Sequence, residues 1–139
     1  MNYNELKNKY QDFMTYEPEN HSVKLNISSF RIDKYRGNHD EFIQYIVFII
    51  LMIKEANIEK GSLCEMNIDM KNVTSKHFHP FFLKKVLKPL NIMLSNPQMN
   101  QDVLGKIYIR NVGKYGVILW GIVKPLFHKD TIAKMIITR

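Results

Sequence analysis

Apolar side chains recur along this chain with two different periods, and the changes of period mark its elements. Four segments carry β-branched or alternating apolar residues, as strands do, and alternation one by one marks a strand with a single dry face. Val23, Leu25 and Ile27 alternate with Lys24, Asn26 and Ser28, which predicts a strand over residues 23–28. Cys64, Met66, Ile68 and Met70 oppose Glu65, Asn67 and Asp69 within a second, over 62–70. Ile107 and Ile109 oppose Tyr108 and Arg110 in a third, over 106–112, and residues 135–138 supply the last. Helical spacing fills the intervals: residues 38–56, residues 77–94 with a kink at Pro89, and residues 115–127. Asn38 is placed to cap the first of these, with Glu41 three residues on as in a capping box. Gly61 ends the connection into the second strand, and Asp130 or Thr131 caps a turn before the last. Residues 1–21 read as a short polar helix, over 4–13, and a Pro/Glu/Asn linker; residues 22–139 read as one α/β domain.

Strand and helix alternation predicts a mostly parallel sheet of about four strands. Parallel strands covered on both faces read as continuous apolar runs, and these do not. Helices are therefore expected to pack mainly on one face, leaving the other to water, a polar ligand or another chain. Glu65, Asn67, Asp69, Tyr108 and Arg110, with Lys24 and Asn26, fall on that second face. In the simplest arrangement, Arg110 pairs with Glu65 or Asp69 across neighbouring strands.

Composition narrows the class. The chain has 139 residues, 45% of them apolar, enough for one core without disulfides or a structural metal. The lone Cys64 has no internal partner, and its neighbours Leu63 and Met66 read as core, so a buried thiol or a reducing compartment is expected. The polar start, MNYNELKNKY, lacks the apolar stretch of a signal peptide. The dense apolar run over 42–53 is shorter than the roughly 20 residues of a membrane span and reads as a buried helix. The formal charge of +7 is unevenly placed: residues 1–70 hold 8 basic and 11 acidic side chains, residues 71–139 hold 12 basic against Asp102 and Asp130. A field of that sign attracts anionic partners, or serves only as a solvated basic face.

Catalytic chemistry has little to stand on, and no enzyme is expected. His77 and His79 are two apart, with no Cys or third His at metal-site spacing, and read as surface histidines flanking a helix start. Glu65 and Asp69 lie four apart on a strand, about 13 Å, too far for shared acid–base work. Gly113 and Gly116 follow a strand and open a helix, but Lys114 and Tyr115 between them make neither a dinucleotide nor a Walker motif. No catalytic residue, metal or cofactor is assigned. Nucleic acid is disfavoured, because Tyr108 beside Arg110 is only a fragment of an aromatic and basic surface.

At the third strand the sequence resembles a known family. Leu104-Gly-Lys-Ile-Tyr-Ile-Arg-Asn111, Trp120-Gly-Ile-Val-Lys-Pro-Leu126 and Thr131-Ile-Ala-Lys-Met-Ile-Ile137 are similar, in order and spacing, to the core of the CRAL-TRIO lipid-binding family, which includes phosphatidylinositol transfer proteins. Ile68-Asp69-Met70-Lys71-Asn72 is similar to that family's strand ending in Asp-Leu-Lys-Gly. The resemblance covers residues 22–139 and implies a CRAL-TRIO-like fold, a sheet flanked by helices with a pocket for one lipid under a gate helix. It also implies a headgroup site in which Asp102, Thr131 and Lys134 match the phosphoinositide-contacting positions. Val103 departs from the family's Arg, and Asn111-Val112-Gly113 from its Asn-Ala-Pro. The gate segment is expected after the last strand, so a minimal form lacking it is expected here.

The resemblance and the basic second half together imply a non-enzymatic phospholipid- or phosphoinositide-binding module, cytoplasmic and peripheral to anionic membranes. The alternative is a protein-interaction scaffold on a reduced fold, self-associating into a homodimer through its uncovered sheet face.

Overall fold

The alternating segments become strands in the computed structural model, which describes residues 2–30, 39–77, 103–126 and 129–139. In chain order the elements are α1 Tyr3–Tyr10, β1 Met14–Glu17, β2 Ser22–Asn26, α2 His39–Lys60, β3 Cys64–Asp69, β4 Leu104–Arg110, α3 Lys114–Val123, α4 Lys129–Ala133 and β5 Met135–Ile137. Short 3-10 turns lie at Ile27–Ser29, Ser75–His77 and Lys124–Leu126. The sheet order is β1-β2-β3-β4-β5; β2 to β5 run parallel and β1 antiparallel to β2. The architecture is thus α/β and mostly parallel, with five strands rather than about four.

The added strand lies where a linker was expected. Met14 and Tyr16 are buried and alternate with Thr15 and Glu17, and the turn after them is closed by the His21 N–H donating to the Pro18 carbonyl at 3.2 Å. Pro18 cannot donate to a strand ladder, so the polar Pro-Glu-Asn run ends β1 and turns the chain. Helix α1 is capped by Asn2, whose Oδ1 accepts from the Glu5 N–H at 2.9 Å. Leu6 and Tyr10 on its buried side are fully enclosed against α2.

In α2 the apolar run behaves as expected of a buried helix. Phe42, Tyr45, Ile49, Ile50 and Ile53 are buried at three- and four-residue spacing, while Leu51 on the other side is 48% exposed. The helix continues past Ala56 to Lys60, and Gly61 stops it at a φ of +67°, its N–H donating to the Asn57 carbonyl. Glu41 does not close a capping box through its Oε1. That atom accepts from Lys9 Nζ at 2.7 Å and Tyr10 Oη at 2.8 Å, tying α1 to α2; Asn38 lies outside the described residues.

Val23, Cys64, Met66 and Ile107 point to the helix side, where α1 and α2 build one core cluster and Leu119 of α3 builds a second with Met70, Ile107 and Ile109. Gly116 lets α3 approach closely, since a Cβ there would meet Val112 Cγ1 at 3.2 Å and Met70 Cε at 3.4 Å. Two expectations change. Leu63 is 45% exposed rather than core, because it precedes β3 instead of lying in it. His77 is buried, not a surface residue: its Nδ1 accepts from the Thr74 N–H at 2.9 Å and its Nε2 reaches the Ser28 carbonyl at 3.2 Å, pinning the turns after β2 and β3 together. The helix expected over 77–94 falls, beyond His77, outside the described residues, as does His79.

Candidate functional site

Strand register brings the five polar-face residues together. Lys24, Asn67 and Tyr108 form one row across β2, β3 and β4, and Asn26, Asp69 and Arg110 form the next. Glu17, Ser22 and Glu65 make a third row, across β1, β2 and β3. Side chains in register share a face, so Glu65, Asn67, Asp69, Tyr108 and Arg110 stand on the side opposite the core, as the alternation predicts. An open groove of about 450 Å³ runs over Glu65, Asn67, Asp69 and Arg110 but not Tyr108, and is lined also by Glu17, Ser22, Lys24 and Asn111.

Within the groove Arg110 does not pair with a carboxylate of β3. Its guanidinium lies 5.0 Å from the centroid of the Tyr108 ring, and its Nη2 reaches Asn67 Oδ1 at 3.5 Å. The reason lies at the strand ends. Asp69 Oδ1 accepts from Asn111 Nδ2 at 3.0 Å and from the Lys71 N–H at 2.9 Å. Asn72 and Asn111, at φ of +65° and +59°, take the left-handed turns that Asn tolerates and so close both strand ends onto this carboxylate. Sequence reasoning missed Asn111 and Glu17 as groove residues. Glu17 needed the unexpected β1, and Asn111 reaches the face only through its left-handed backbone.

These contacts hold the Asp69 carboxyl below its ordinary range, first through the Asn111 hydrogen bond and then through the Lys71 N–H. A carboxyl lowered on folding stabilises the fold above its ordinary range, near about pH 4, and loses that contribution as pH falls through the folded value. Asn111→Gly keeps the left-handed backbone and removes the amide. It is expected to raise the Asp69 carboxyl toward its ordinary value and to flatten the acid limb of stability, with an unchanged Asp69 carboxyl titration by NMR counting against this account.

The headgroup positions are differently placed. Thr131 lies in α4 and Lys134 immediately after it, and the Lys134 N–H donates to the Thr131 carbonyl at 3.1 Å. The Lys134 carbonyl in turn accepts from the Ile107 N–H at 3.0 Å, which fixes this turn to β4. Both residues are half-buried, and together they form the lead-in to β5. Asp102 lies outside the described residues.

Other reactive groups are structural. Cys64 is fully buried, and burial pushes its thiol up to about 11, which keeps it protonated and unreactive at neutral pH. Among the described residues no group of three or more His, Cys, Asp and Glu is placed to hold a metal ion. No described helix is long and apolar enough to cross a membrane.

The comparisons with known proteins agree with this architecture. In a fold comparison the crystal structure of Sfh5 matches with a TM-score of 0.63 at 15% sequence identity, covering 94% of this chain and 48% of that one. This chain therefore spans about half the length of Sfh5, and the likeness is one of fold. No curated protein matches the sequence at a significant level. The family model of the CRAL/TRIO domain matches residues 9–139, nearly the whole chain and including β1. The mostly parallel sheet of the described residues agrees with that match, and the chain belongs to the CRAL/TRIO domain family.

Proposed function

We propose that this chain is a non-enzymatic phospholipid- or phosphoinositide-binding module that works in the cytoplasm and docks reversibly on anionic membranes. CRAL/TRIO domains are typically lipid-binding and not catalytic. The observation that carries the reading is the turn linking Thr131 and Lys134, anchored to β4 by the Ile107 hydrogen bond, in a half of the chain with 12 basic and 2 acidic side chains. A lysine ammonium is a compact cation suited to a phosphate, and a threonine hydroxyl can donate to one. Asp102, Thr131 and Lys134 are assigned to the headgroup. The surrounding basic residues are assigned to the membrane, where each Lys or Arg contributes about 1 kcal/mol.

Co-sedimentation with vesicles tests this. The protein is expected to bind vesicles of phosphatidylcholine doped with phosphatidylinositol phosphates and to leave pure phosphatidylcholine vesicles in the supernatant. Lys134→Glu exchanges an attraction for a repulsion, about 2 kcal/mol together, and is expected to weaken binding roughly tenfold or more. Equal binding to charged and neutral vesicles, with no lipid co-purifying in native mass spectrometry, would overturn the proposal.

A further inference from the structure

We propose that the polar face of the sheet is a homodimer interface, its charges arranged to complement a second copy about a twofold axis parallel to the strands. The argument rests on the sign of charge carried by each strand. On this face β1 presents Glu17, β2 presents Lys24, β3 presents Glu65 and Asp69, and β4 presents Arg110, with Lys106 exposed at the register shift beside Glu65. From β1 to β4 the strands therefore alternate negative, positive, negative, positive. Lys24, Glu65, Lys106 and Arg110 are exposed, and Glu17 and Asp69 half-buried.

Within one chain this alternation makes no contact ion pair, and Lys24 acts on Asp69 only through space. The Lys9–Glu41 ion pair lies away from this face, and among the described residues no ion pair joins two of these six side chains. Arg110 turns to Tyr108 and Asn67, and Asp69 to Asn111, although Asp69 and Arg110 are directly in register.

A twofold axis lying along the strands between β2 and β3 sets β1 over the partner's β4 and β2 over the partner's β3. Every strand then faces one of opposite sign, and each contact occurs twice, as an isologous interface requires. Height along the strands is preserved by that axis. Lys24, in register with Asn67, comes to lie between the second copy's Glu65 and Asp69, and Glu17, in register with Glu65, comes opposite Lys106. An axis across the strands would instead lay each strand on its own copy, negative on negative and positive on positive. Such like-charge juxtaposition disfavours that packing, so the pattern selects one geometry.

The size of the face sets the strength. Four strands about 4.8 Å apart and some five residues long at about 3.3 Å each cover roughly 300 Å². That is well under the roughly 800 Å² per partner of a standard stable interface, so the dimer is reversible and sensitive to salt. The inference does not rest on lipid binding, and its test is carried out without lipid.

Sedimentation equilibrium of the full chain over micromolar to millimolar concentrations, at low and at high salt, decides it. Concentration-dependent dimerisation is expected at low salt, weakened tenfold or more at high salt. Lys24→Glu and Glu65→Lys are each expected to weaken association at least tenfold while circular dichroism stays unchanged. An equimolar mixture of the two variants is expected to regain wild-type affinity, because the reversed charges meet their complements in the mixed dimer. A monomer at every concentration in low salt gives the face to a different partner and overturns the proposal. So does a dimer indifferent to both substitutions, or one that the mixture fails to restore.

Discussion

Replacing Tyr45 with Ala is expected to destabilise the fold by about 3–5 kcal/mol, the range for truncating a large buried aromatic. Tyr45 is fully buried at the point where α2 meets both α1 and the start of β1. Its ring stacks on Tyr3 at 6.1 Å between centroids and lies 5.6 Å from Tyr10, while its hydroxyl donates to the Met14 carbonyl at 2.6 Å. One side chain therefore fills the cavity between two helices and fixes the edge strand to them. Tyr45→Phe separates the two roles, keeping the ring and removing only the donor to a buried carbonyl, and is expected to cost about 1–3 kcal/mol. Chemical denaturation of both variants measures the difference. A loss below about 1 kcal/mol for Tyr45→Ala would show that the helix pair can close over the cavity, contrary to this packing.

The strands that were legible in the sequence are those whose alternation ran long enough to be read. β3 carries six residues with apolar and polar positions strictly exchanged, and β4 alternates from Lys106 to Arg110 after a register shift near its start, so both strands and their dry face follow from period alone. β1 has four residues and runs directly into Pro18, so its two buried positions, Met14 and Tyr16, were too few to outweigh the polar turn beside them. Its pairing is with β2, and hairpin pairing is a tertiary fact that a four-residue window does not contain. The same holds for Glu41. The capping-box spacing was present, but the carboxylate found Lys9 and Tyr10 across the helix pair, partners more than thirty residues away.

For the candidate surfaces, the face was legible and the partners were not. Parity alone places Glu65, Asn67, Asp69, Tyr108 and Arg110 on one side of the sheet, and the strand register sets Asn67 beside Tyr108 and Asp69 beside Arg110. Which of them bond to each other depends on the strand ends, where the left-handed Asn111 brings an amide to Asp69. Burial was misjudged for histidine in particular. His77 reads in the sequence as a surface residue because it flanks a helix start with no metal-site partner, yet both ring nitrogens are engaged by the turns around it. A neutral imidazole offers one donor and one acceptor, which makes it a small bridge between backbone groups that no periodic pattern advertises.

His21 is the stronger case of such a bridge, and His21→Ala is expected to cost about 2–4 kcal/mol. Its Nε2 faces two acceptors, Asn57 Oδ1 at 2.7 Å and the Ser62 carbonyl at 3.0 Å, so that nitrogen carries the proton. Nδ1 is then the acceptor for the Tyr16 hydroxyl at 2.9 Å. Asn57 passes the connection on, its Nδ2 donating to the Val103 carbonyl at 2.9 Å just before β4. A single imidazole thus joins β1, the last turn of α2, the loop before β3 and the approach to β4. Truncation leaves partners on three of these without the imidazole; the Asn57 and Ser62 oxygens are only part-buried and regain water, so the loss is about 2–3 kcal/mol in all, most of it from the buried Tyr16 hydroxyl. The backbone adds up to about 1 kcal/mol, because His21 sits at a φ of +48°, a left-handed conformation in which His is several-fold enriched and Ala is not. His21→Asn removes that backbone cost, since Asn tolerates the left-handed region, but its shorter side chain cannot span from Tyr16 to Asn57. The order of stability under denaturant is therefore expected to be wild type, then Asn, then Ala. A double-mutant cycle with Asn57→Ala is expected to show coupling of about 1 kcal/mol or more; additive losses would mean that the two side chains act separately and that the hairpin is held by its ladder alone.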